Sequence, residues 1–508
     1  MRTLYLGATA FISGFCVMGL ELLGFRLFAP TFGYSSYVWG SLIGIILAAL
    51  SIGYVFGGRI ADRRPRAPLL FQLILAAGCY LFVMLLLYRK VLTVSFTKFG
   101  TIWGAIVATV VIYGVPMILL SMVSPFIIRL LTAEHKAGRI AGGIYGISNT
   151  GSILGTFVTA FVLVRVLGSH MTLLLFSSII LLVGIAGLVS QSPKWAVSLV
   201  LAAVGPFIPR PAENVGPEEK LLLRSESFHN DIRVIRREDG RRALSVNRWT
   251  SYSVSVGEEG RYLTDDSYYD YFNVAALLSE PREILVLGMG SGTSVKQYLH
   301  FFPEAHIDAV EIDPEIIRIA KEEKYFGVTE GPRLKIFADD ARPYLSRTDK
   351  KYNVIEVDMF QGGPYVPFYV ATEEFFQLVS DHLLPDGVMM MNVLSLSEDS
   401  TLLCSLEKTL QAVFAKGTVF ALRVGESSNY ILIALKKEIS VPSGVRRILT
   451  GKAGSYRELF RVINSFTNSI VFLPESEEAH VFTDDKADVE RVTFKMVDKY
   501  VRQIPLRQ

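Results

Sequence analysis

The sequence predicts a polytopic α-helical membrane domain followed by an α/β domain with a mostly parallel sheet, and a small β-hairpin subdomain between them. Three observations predict this fold class. Long apolar segments are confined to the first 210 residues, strands and helices alternate after residue 283, and a glycine-rich turn follows the first of those strands. The predicted boundaries are 1–210 for the helical domain, 211–219 for a linker, 220–280 for the hairpins and 281–508 for the α/β domain.

Hydrophobic and charged residues are unevenly distributed along the chain. Hydrophobic residues make up 51% of the 508 residues, which is more than a soluble enzyme usually carries. Residues 1–210 contain 15 Lys and Arg but only 3 Asp and Glu, so most acidic residues lie in the second half. Three widely spaced cysteines exclude a disulfide framework and a zinc knuckle. The seven histidines do not cluster with other ligands, so no metal is expected, and no nucleic-acid partner is expected either.

Six apolar segments are each long enough to cross about 30 Å of hydrocarbon. A seventh is short and contains Gly205 and Pro206, so it is predicted to be a short span, a half-span or an interfacial helix. Basic residues follow the second and fourth segments, which places the N-terminus and both loops in the cytoplasm. Six complete spans with a partial seventh are favoured and place the α/β domain in the cytoplasm, attached to the cell (inner) membrane, whereas seven complete spans would place it outside. The segments are 4–28, 35–58, 68–88, 101–120, 140–166 and 171–190, with 195–209 as the seventh.

Two features inside the predicted spans stand out. Glycine pairs at four-residue spacing predict seams where helix backbones approach closely: Gly53 with Gly57, Gly142 with Gly146, and Gly151 with Gly155. Glu21 lies within the first span, where an ionisable group is costly and tends to face protein or water. Glu21 is therefore expected either to have a functional role or to form a buried ion pair, and the alternative is a simple helix–helix hydrogen bond.

The second half begins with hairpins and continues with alternating strands and helices. The stretch "NDIRVIRREDGRRALSV" predicts two strands around the turn at Asp239 and Gly240, and "SYSVSVGEEGRYLT" predicts further short strands. Four strands are then expected in "EILVLGMG", "HIDAVEID", "RLKIFADD" and "YNVIEVDMF", and a fifth in "GVMMMNVL". Intervening helices are expected in "TSVKQYLHFF", "PEIIRIAKEE" and "TEEFFQLVSDHL". This alternation is typical of a parallel sheet with helices on both faces.

The turn after the first of these strands predicts a nucleotide-binding loop. Gly288, Gly290 and Gly292 lack side chains, so backbone N–H groups and the following helix N-terminus can approach a ligand. Glu311 ends the second strand, where a carboxylate can accept both ribose hydroxyls. Position 293 is Thr where a dinucleotide fingerprint has its third glycine, which favours an adenosyl-sulfonium ligand over a dinucleotide. Asp339 and Asp340 end the third strand, where a carboxylate can reach an adenine amine.

These motifs together resemble the spermidine synthase family of aminopropyltransferases. The resemblance lies in "ILVLGMGSGTS", "VEIDPEIIRIAKE", "FADDARPYL" and "YNVIEVDMFQGGP", and upstream in "SESFHNDIRV" and "SYYDYF". The helical half is similar to that of membrane-fused members, through "GGRIADR" and "GRIAGGIYGISNTGSILGTF", and "FTDDKADVE" is similar to their closing motif. The resemblance implies a Rossmann-like (class I methyltransferase/spermidine synthase) fold and pairing of two copies through the sheet domain.

The resemblance also implies roles for individual residues. Glu311 holds the ribose, Asp340 the adenine, and the glycine turn the methionine-derived tail of S-adenosylmethionine or its decarboxylated form. Asp358 matches the first acidic residue of the family's catalytic pair, whereas Gln361 stands in place of the second. Ser291 replaces the Asp that pairs with the donor ammonium, and a neutral Ser suits the carboxylate of undecarboxylated S-adenosylmethionine. These two departures weaken the expectation of putrescine turnover.

The acceptor is expected to lie near aromatic residues. Tyr268 and Tyr269 in "SYYDYF", and Tyr365 in the loop "MFQGGPYVPFYV", are candidates for its binding site, with tight core packing as the alternative. The loop is also expected to act as a lid. The function predicted is alkylation, of the aminopropyl-transfer type, of an amine or a membrane-associated, lipid-like acceptor in contact with the bilayer. The alternatives are a methyltransferase and a transporter-like protein that senses a nucleoside without turnover.

Overall fold

The computed structural model describes residues 2–33, 35–132, 137–192, 219–247, 252–265, 267–360, 365–415 and 417–503. It divides into two compact units, Met1–Asn214 and Val215–Gln508, so the division falls inside the predicted linker. The predicted segment 195–209 and most of that linker lie outside the described residues. The predicted fold class, an apolar helical region followed by an α/β domain, is confirmed.

The first unit is built from long apolar helices. Two π-helical turns, Val110–Gly114 and Thr159–Leu163, join neighbouring helices into longer stretches. Four continuous helical stretches are long and apolar enough to cross a membrane: Thr3–Phe32, Ser36–Arg63, Ala67–Leu131 and Ala137–Val189. The six predicted spans overlap these four stretches, with two spans in each of the two longest. The helices are α1 (Arg2–Phe32), α2 (Ser36–Arg63), α3 (Ala67–Thr109), α4 (Val115–Ser121), α5 (Val123–Leu131), α6 (Ala137–Val158) and α7 (Val164–Val189).

Glycine kinks, rather than loops, separate the spans within the two longest stretches. Gly100 has φ 74° and Gly168 has φ 75°, a left-handed conformation that side chains with a Cβ rarely adopt. The sequence had predicted breaks over residues 89–100 and 167–170, but these residues are helical apart from the two glycines. Each kink therefore turns the chain at a single residue.

Two of the three predicted glycine pairs lie where helices approach closely. A Cβ on Gly53 or Gly57 would lie within 3 Å of residues 118–122, and the pair Gly151 and Gly155 lies between helices α1 and α6. A Cβ on Gly151 would lie 2.1 Å from the backbone oxygen of Phe11, and one on Gly155 would lie 2.2 Å from that of Phe15. These glycines therefore allow the two helix backbones to touch. A Cβ on Gly142 or Gly146 would meet no described atom within 4 Å, so this pair marks no seam among the described residues.

The second unit begins with a four-stranded antiparallel sheet in the order β1-β2-β3-β4. Its predicted central hairpin is present, and Gly240 adopts the expected positive φ of 83° in the turn. One face of this sheet packs Ile232, Val234 and Leu244 against Ile316 and Ile319 of the α/β domain. The strands are β1 (Lys220–Glu226), β2 (Asp231–Arg236), β3 (Arg242–Val246) and β4 (Tyr252–Val254).

An eight-stranded sheet in the order β12-β10-β11-β9-β8-β5-β6-β7 forms the centre of this unit. In this order, the five neighbouring strands from β9 to β7 pair in parallel, whereas β11, β10 and β12 each pair antiparallel with their neighbours. All five strands predicted for the parallel part are present. The strands are β5 (Glu283–Leu287), β6 (His306–Glu311), β7 (Leu334–Ala338), β8 (Tyr352–Val357), β9 (Leu383–Leu394), β10 (Val419–Arg423), β11 (Asn429–Leu435) and β12 (Ile470–Val471).

Helices cover both faces of this sheet and bury two separate apolar layers against it. The chain runs from β5 outward through β6 to β7 and then returns to place β8 on the other side of β5. Ligands of open α/β sheets bind at such a switch point, beyond the carboxyl ends of the strands. The helices are α8 (Tyr268–Ala276), α9 (Thr293–Phe301), α10 (Pro314–Lys321), α11 (Ala341–Arg347), α12 (Glu373–His382), α13 (Thr401–Val413), α14 (Ser443–Ala453), α15 (Phe460–Asn468) and α16 (Val489–Gln503).

Candidate active site

A cavity of about 180 Å³ lies at this switch point, beyond the carboxyl ends of β5, β6, β7 and β8. Eight of the residues that the sequence predicted for the site line it: Tyr268, Tyr269, Gly288, Gly290, Glu311, Asp339, Asp340 and Asp358. The carboxyl ends of these four parallel strands lie at the same edge of the sheet, and this brings the predicted carboxylates and the glycine turn together.

The glycine turn lies directly against the end of β8. Gly288 has φ 92°, and a Cβ on it would lie only 2.3 Å from the backbone oxygen of Asp358. Gly292 has φ 79° and caps the N-terminus of α9. Glycine is therefore required at Gly288 both by backbone conformation and by contact with the neighbouring strand end.

Glu311 is fixed by the backbone around it. Its Oε2 accepts a hydrogen bond from the N–H of Gly290 at 2.9 Å, and its Oε1 accepts one from the N–H of Asp313 at 3.1 Å. Burial raises the pKa of Glu311 to about 7, although the backbone hydrogen bonds partly oppose this shift. A carboxylate offers about four acceptor sites, so each oxygen can still accept a further hydrogen bond.

The two carboxylates at the end of β7 have different partners. Asp340 caps helix α11 by accepting a hydrogen bond from the N–H of Arg342 at 3.2 Å, and its Oδ2 accepts one from the hydroxyl of Tyr369 at 3.0 Å. Asp339 forms an ion pair with Arg347. Asp340 is therefore held facing the cavity, whereas much of the charge of Asp339 is balanced by a cation.

Asp358 accepts hydrogen bonds from two neutral groups. Its Oδ2 accepts one from the hydroxyl of Tyr268 and its Oδ1 one from the Nδ2 of Asn392, both at 3.0 Å. The Oδ1 of Asn392 accepts in turn from Asn429 at 2.9 Å, which fixes the amide orientation. Burial raises the pKa of Asp358 to about 6, while its two donors oppose this shift. Asp358 is therefore ionised at neutral pH and can accept a proton.

A second, fully buried carboxyl lies on β8 two residues before Asp358. Glu356 accepts hydrogen bonds from Ser294, at 2.8 Å, and from Tyr298, both in helix α9. Burial raises the pKa of Glu356 to about 8, so its carboxyl is mainly protonated at neutral pH. Glu356 thus ties the helix that follows the glycine turn to the strand that carries Asp358. Glu356 was not predicted from the sequence, although a lone Glu in an apolar strand is a usable signal.

Two tyrosines and a serine form one wall of the cavity. The ring centroids of Tyr268 and Tyr269 lie 4.0 Å apart, and the Tyr269 hydroxyl lies 2.6 Å from the Oγ of Ser253 on β4. Ser253 lines the cavity together with Asn230 from the β1–β2 turn. Neither residue was predicted, because no local pattern indicates that the hairpin subdomain closes over the sheet edge.

Five predicted site residues are not among the described residues that line the cavity; one of them, Gly292, caps helix α9. Ser291 is 2% exposed and its hydroxyl lies 3.0 Å from that of Thr293, so it faces the start of α9. Tyr365 is also buried, with its ring against Phe494 of the last helix. Gln361, together with the centre of the predicted lid, lies outside the described residues. Glu21 belongs to the helical unit.

The motif near the C-terminus braces one side of the cavity. Arg342 forms a two-pronged ion pair with Asp484, with contacts of 2.8 and 2.5 Å, and also donates to the backbone oxygen of Tyr369 at 2.9 Å. Asp484 accepts a further hydrogen bond from Thr372 at 2.8 Å. Since Tyr369 donates to Asp340, this network positions the carboxylate at the end of β7. In the described part of the chain, no group of three or more His, Cys, Asp or Glu residues could hold a metal.

Comparison with known families assigns the central part of this unit. Residues 272–441 match the model of the spermine/spermidine synthase domain. This segment is therefore similar to the spermine/spermidine synthase domain. The family resemblance predicted from the motifs is thereby confirmed. The match runs from helix α8 to just before helix α14, and it includes the glycine turn and the strand ends that carry Glu311, Asp340 and Asp358.

The individual relatives of this chain are distant. A probable polyamine aminopropyl transferase of Bifidobacterium longum (strain NCC 2705) is 30% identical over 305 residues, which cover 56% of this chain and 65% of that protein, just under two thirds of its length. The polyamine aminopropyltransferase of Vibrio vulnificus (strain CMCP6) is 26% identical over 275 residues, covering 53% of this chain and 89% of the relative. A solved probable spermidine synthase from Corynebacterium glutamicum ATCC 13032 is 20% identical, with a TM-score of 0.39, and the match covers 50% of this chain and 95% of that one.

Proposed function

We propose that this chain is a membrane-integral alkyl transferase that uses S-adenosylmethionine or its decarboxylated form to alkylate an amine. One observation carries the proposal: the carboxyl groups of Glu311, Asp340 and Asp358, from the ends of three strands, line one cavity beside a glycine turn. Each of these carboxyls accepts two hydrogen bonds from the protein, and as a carboxylate each has further acceptor sites for a ligand in the cavity. The names of the aminopropyltransferase relatives support the same reaction class.

In the proposed complex the adenosine lies over the ends of β6 and β7. Glu311 accepts hydrogen bonds from the ribose hydroxyls, using the acceptor sites that its backbone partners leave free. Asp340, fixed by its cap position and by Tyr369, accepts from the adenine amine. The turn at Gly288 and Gly290 brings backbone close to the methionine-derived tail, which places the sulfonium next to Asp358.

Asp358 serves as the proton acceptor in the proposed reaction. The neutral nitrogen of the acceptor amine attacks the carbon bonded to sulfur, so that a C–N bond forms while the C–S bond breaks. The bonding electron pair leaves with the sulfur, which loses its positive charge. The proton from the attacking nitrogen passes to Asp358, whose pKa of about 6 keeps it ionised at neutral pH. Tyr268 and Asn392 hold the carboxylate in position for this transfer.

The long apolar helices and the basic residues between them support a location in the cell membrane, with the α/β unit on the cytoplasmic side. Such a location gives the enzyme access to acceptors that partition into the bilayer. A methyl transfer from S-adenosylmethionine uses the same donor site. It is the second candidate, because Gln361 stands where an aminopropyltransferase has its second acidic residue.

The test is to incubate the purified full-length protein with each donor and a set of amines, and to identify the spent nucleoside. Methylthioadenosine indicates transfer of the aminopropyl-type arm, whereas S-adenosylhomocysteine indicates methyl transfer. Asp358→Asn is expected to lower the rate by about 100-fold or more, which is typical for loss of a general base. Asp349→Asn is the matched control, because Asp349 is exposed and precedes the opposite end of the same strand. Binding of donor without either product would instead favour a nucleoside sensor.

A further inference from the structure

The acceptor side of the cavity can be separated from the donor side. If the adenosine lies over β6 and β7, the acceptor approaches from β8 and the helix that packs beside it. The described lining on that side consists of Asp358, the rings of Tyr268 and Tyr269 with the Ser253 hydroxyl beside them, and the side chains of Met359 and Phe360. This side is therefore mainly apolar and aromatic, with a single carboxylate at its base.

The carboxylates of the cavity are divided unequally between the two sides. Glu311 and Asp340 lie at the donor side, each with two hydrogen bonds that fix it there. Asp339 lies beside Asp340 and is paired with Arg347. Among the described lining residues, only Asp358 remains for the acceptor.

Charge balance then restricts the acceptor. A cationic nitrogen in a cavity of low polarity needs a counter-charge or it forfeits a charge-assisted hydrogen bond. One carboxylate on the acceptor side can satisfy one nitrogen. The far end of a diamine would have to place its second ammonium against Met359, Phe360 or the tyrosine rings. Of these, the rings can attract a cation, but more weakly than a carboxylate does.

We propose that the acceptor is a primary monoamine with an apolar body, whose amino group is bound by Asp358 and whose body packs against Tyr268, Met359 and Phe360. This inference rests on the proposed function and specifies its substrate class. The apolar body gains from burial against these side chains, whereas a second charged nitrogen loses its hydration there.

The closing experiment compares two amines of equal length, n-pentylamine and 1,4-diaminobutane, with the full-length protein and each donor. They differ in one terminal group, a methyl or an ammonium. We expect kcat/KM to be higher for n-pentylamine by about tenfold or more, because the diamine leaves an ammonium without its charge-assisted hydrogen bond. Equal or greater kcat/KM for the diamine overturns the inference and leaves the transferase function standing. No nucleoside product from either amine overturns both.

Variants at Phe360 test the same reasoning from the side of the protein. Phe360→Asp adds a carboxylate to the acceptor side and is expected to shift the preference toward 1,4-diaminobutane by about tenfold or more. Phe360→Leu is the matched control, since it keeps an apolar side chain and is expected to keep the preference for n-pentylamine. The readout is the ratio of the two kcat/KM values, which is unaffected by the fraction of folded protein. An unchanged ratio in Phe360→Asp contradicts the proposed position of the acceptor.

Discussion

The hydrogen bond from Tyr268 to Asp358 sets the pH range in which the proposed base can act. Tyr268→Phe removes the hydroxyl that donates to Oδ2 of Asp358 at 3.0 Å and keeps the ring. The lost bond favoured the ionised carboxylate, so the pKa of Asp358 must rise above its present value of about 6. A hydrogen bond to a charged group contributes about 1.5–3 kcal/mol, and one pKa unit corresponds to about 1.4 kcal/mol. The expected rise is therefore about one to two units.

The assay is the pH dependence of kcat/KM, measured as release of the spent nucleoside. Activity of the wild type should fall as pH drops through about 6, because protonated Asp358 cannot accept the amine proton. In Tyr268→Phe the same fall should occur about one to two pH units higher. Above the raised pKa, the variant should recover much of its rate, since the carboxylate itself is still present.

Tyr269→Phe is the matched control for this experiment. It removes the same group from the next residue of the same helix, but the Tyr269 hydroxyl contacts Ser253 rather than Asp358. In Tyr269→Phe, the acidic limb of the pH profile, which is the fall of kcat/KM at low pH, should stay close to that of the wild type. An unmoved limb in Tyr268→Phe, or an equal shift in both variants, would refute the assignment of the limb to an Asp358 that is stabilised by Tyr268.

Three further changes have defined outcomes. Glu356→Gln should raise the melting temperature at pH 8 but not at pH 4.5, because burial raises the pKa of Glu356 to about 8 and its ionisation weakens the fold as pH rises. The expected increase in the free energy of unfolding is on the order of 3 kcal/mol at pH 7. If variant and wild type melted at the same temperature at both pH values, the buried, protonated state of Glu356 would be contradicted. Gly288→Ala should abolish donor binding in calorimetry and lower the melting temperature, because the new Cβ would overlap the backbone of Asp358. Retained donor binding would show that the turn lies elsewhere. Arg342→Lys should weaken donor binding about tenfold without changing the melting temperature, because lysine cannot form the two-pronged contact with Asp484. If the variant bound the donor with full affinity, a role for this ion pair in donor binding would be excluded.

The parallel half of the sheet could be predicted from the sequence because each strand is an apolar run that ends in a chemically distinct residue. Glu311, Asp340 and Asp358 were all placed correctly at the carboxyl edge, since alternation of strands and helices forces these ends to the same side. The antiparallel strands β10, β11 and β12 were not predicted. Their apolar runs specify strands, but no local pattern specifies which neighbour each strand pairs with.

Residues that act through distant partners were the ones the sequence could not reveal. Asn392 contacts Asp358 across 34 positions in the chain, and Ser253 reaches the cavity from the hairpin subdomain. Ser291 was expected at the ligand because it lies in the glycine turn, yet its side chain points toward Thr293. Motif position therefore predicted which backbone lies at the site, whereas the direction of each side chain depends on the three-dimensional packing around it.

The pairing of Arg342 with Asp484 has a consequence for how the protein is made. Asp484 lies 142 positions after Arg342 in the chain, yet it braces the loop that orients Asp340. During translation the four strands whose ends line the cavity therefore leave the ribosome well before this brace does. We expect the nascent polypeptide to have no finished cavity until Asp484 has been made, and products truncated before Asp484 to lack the brace.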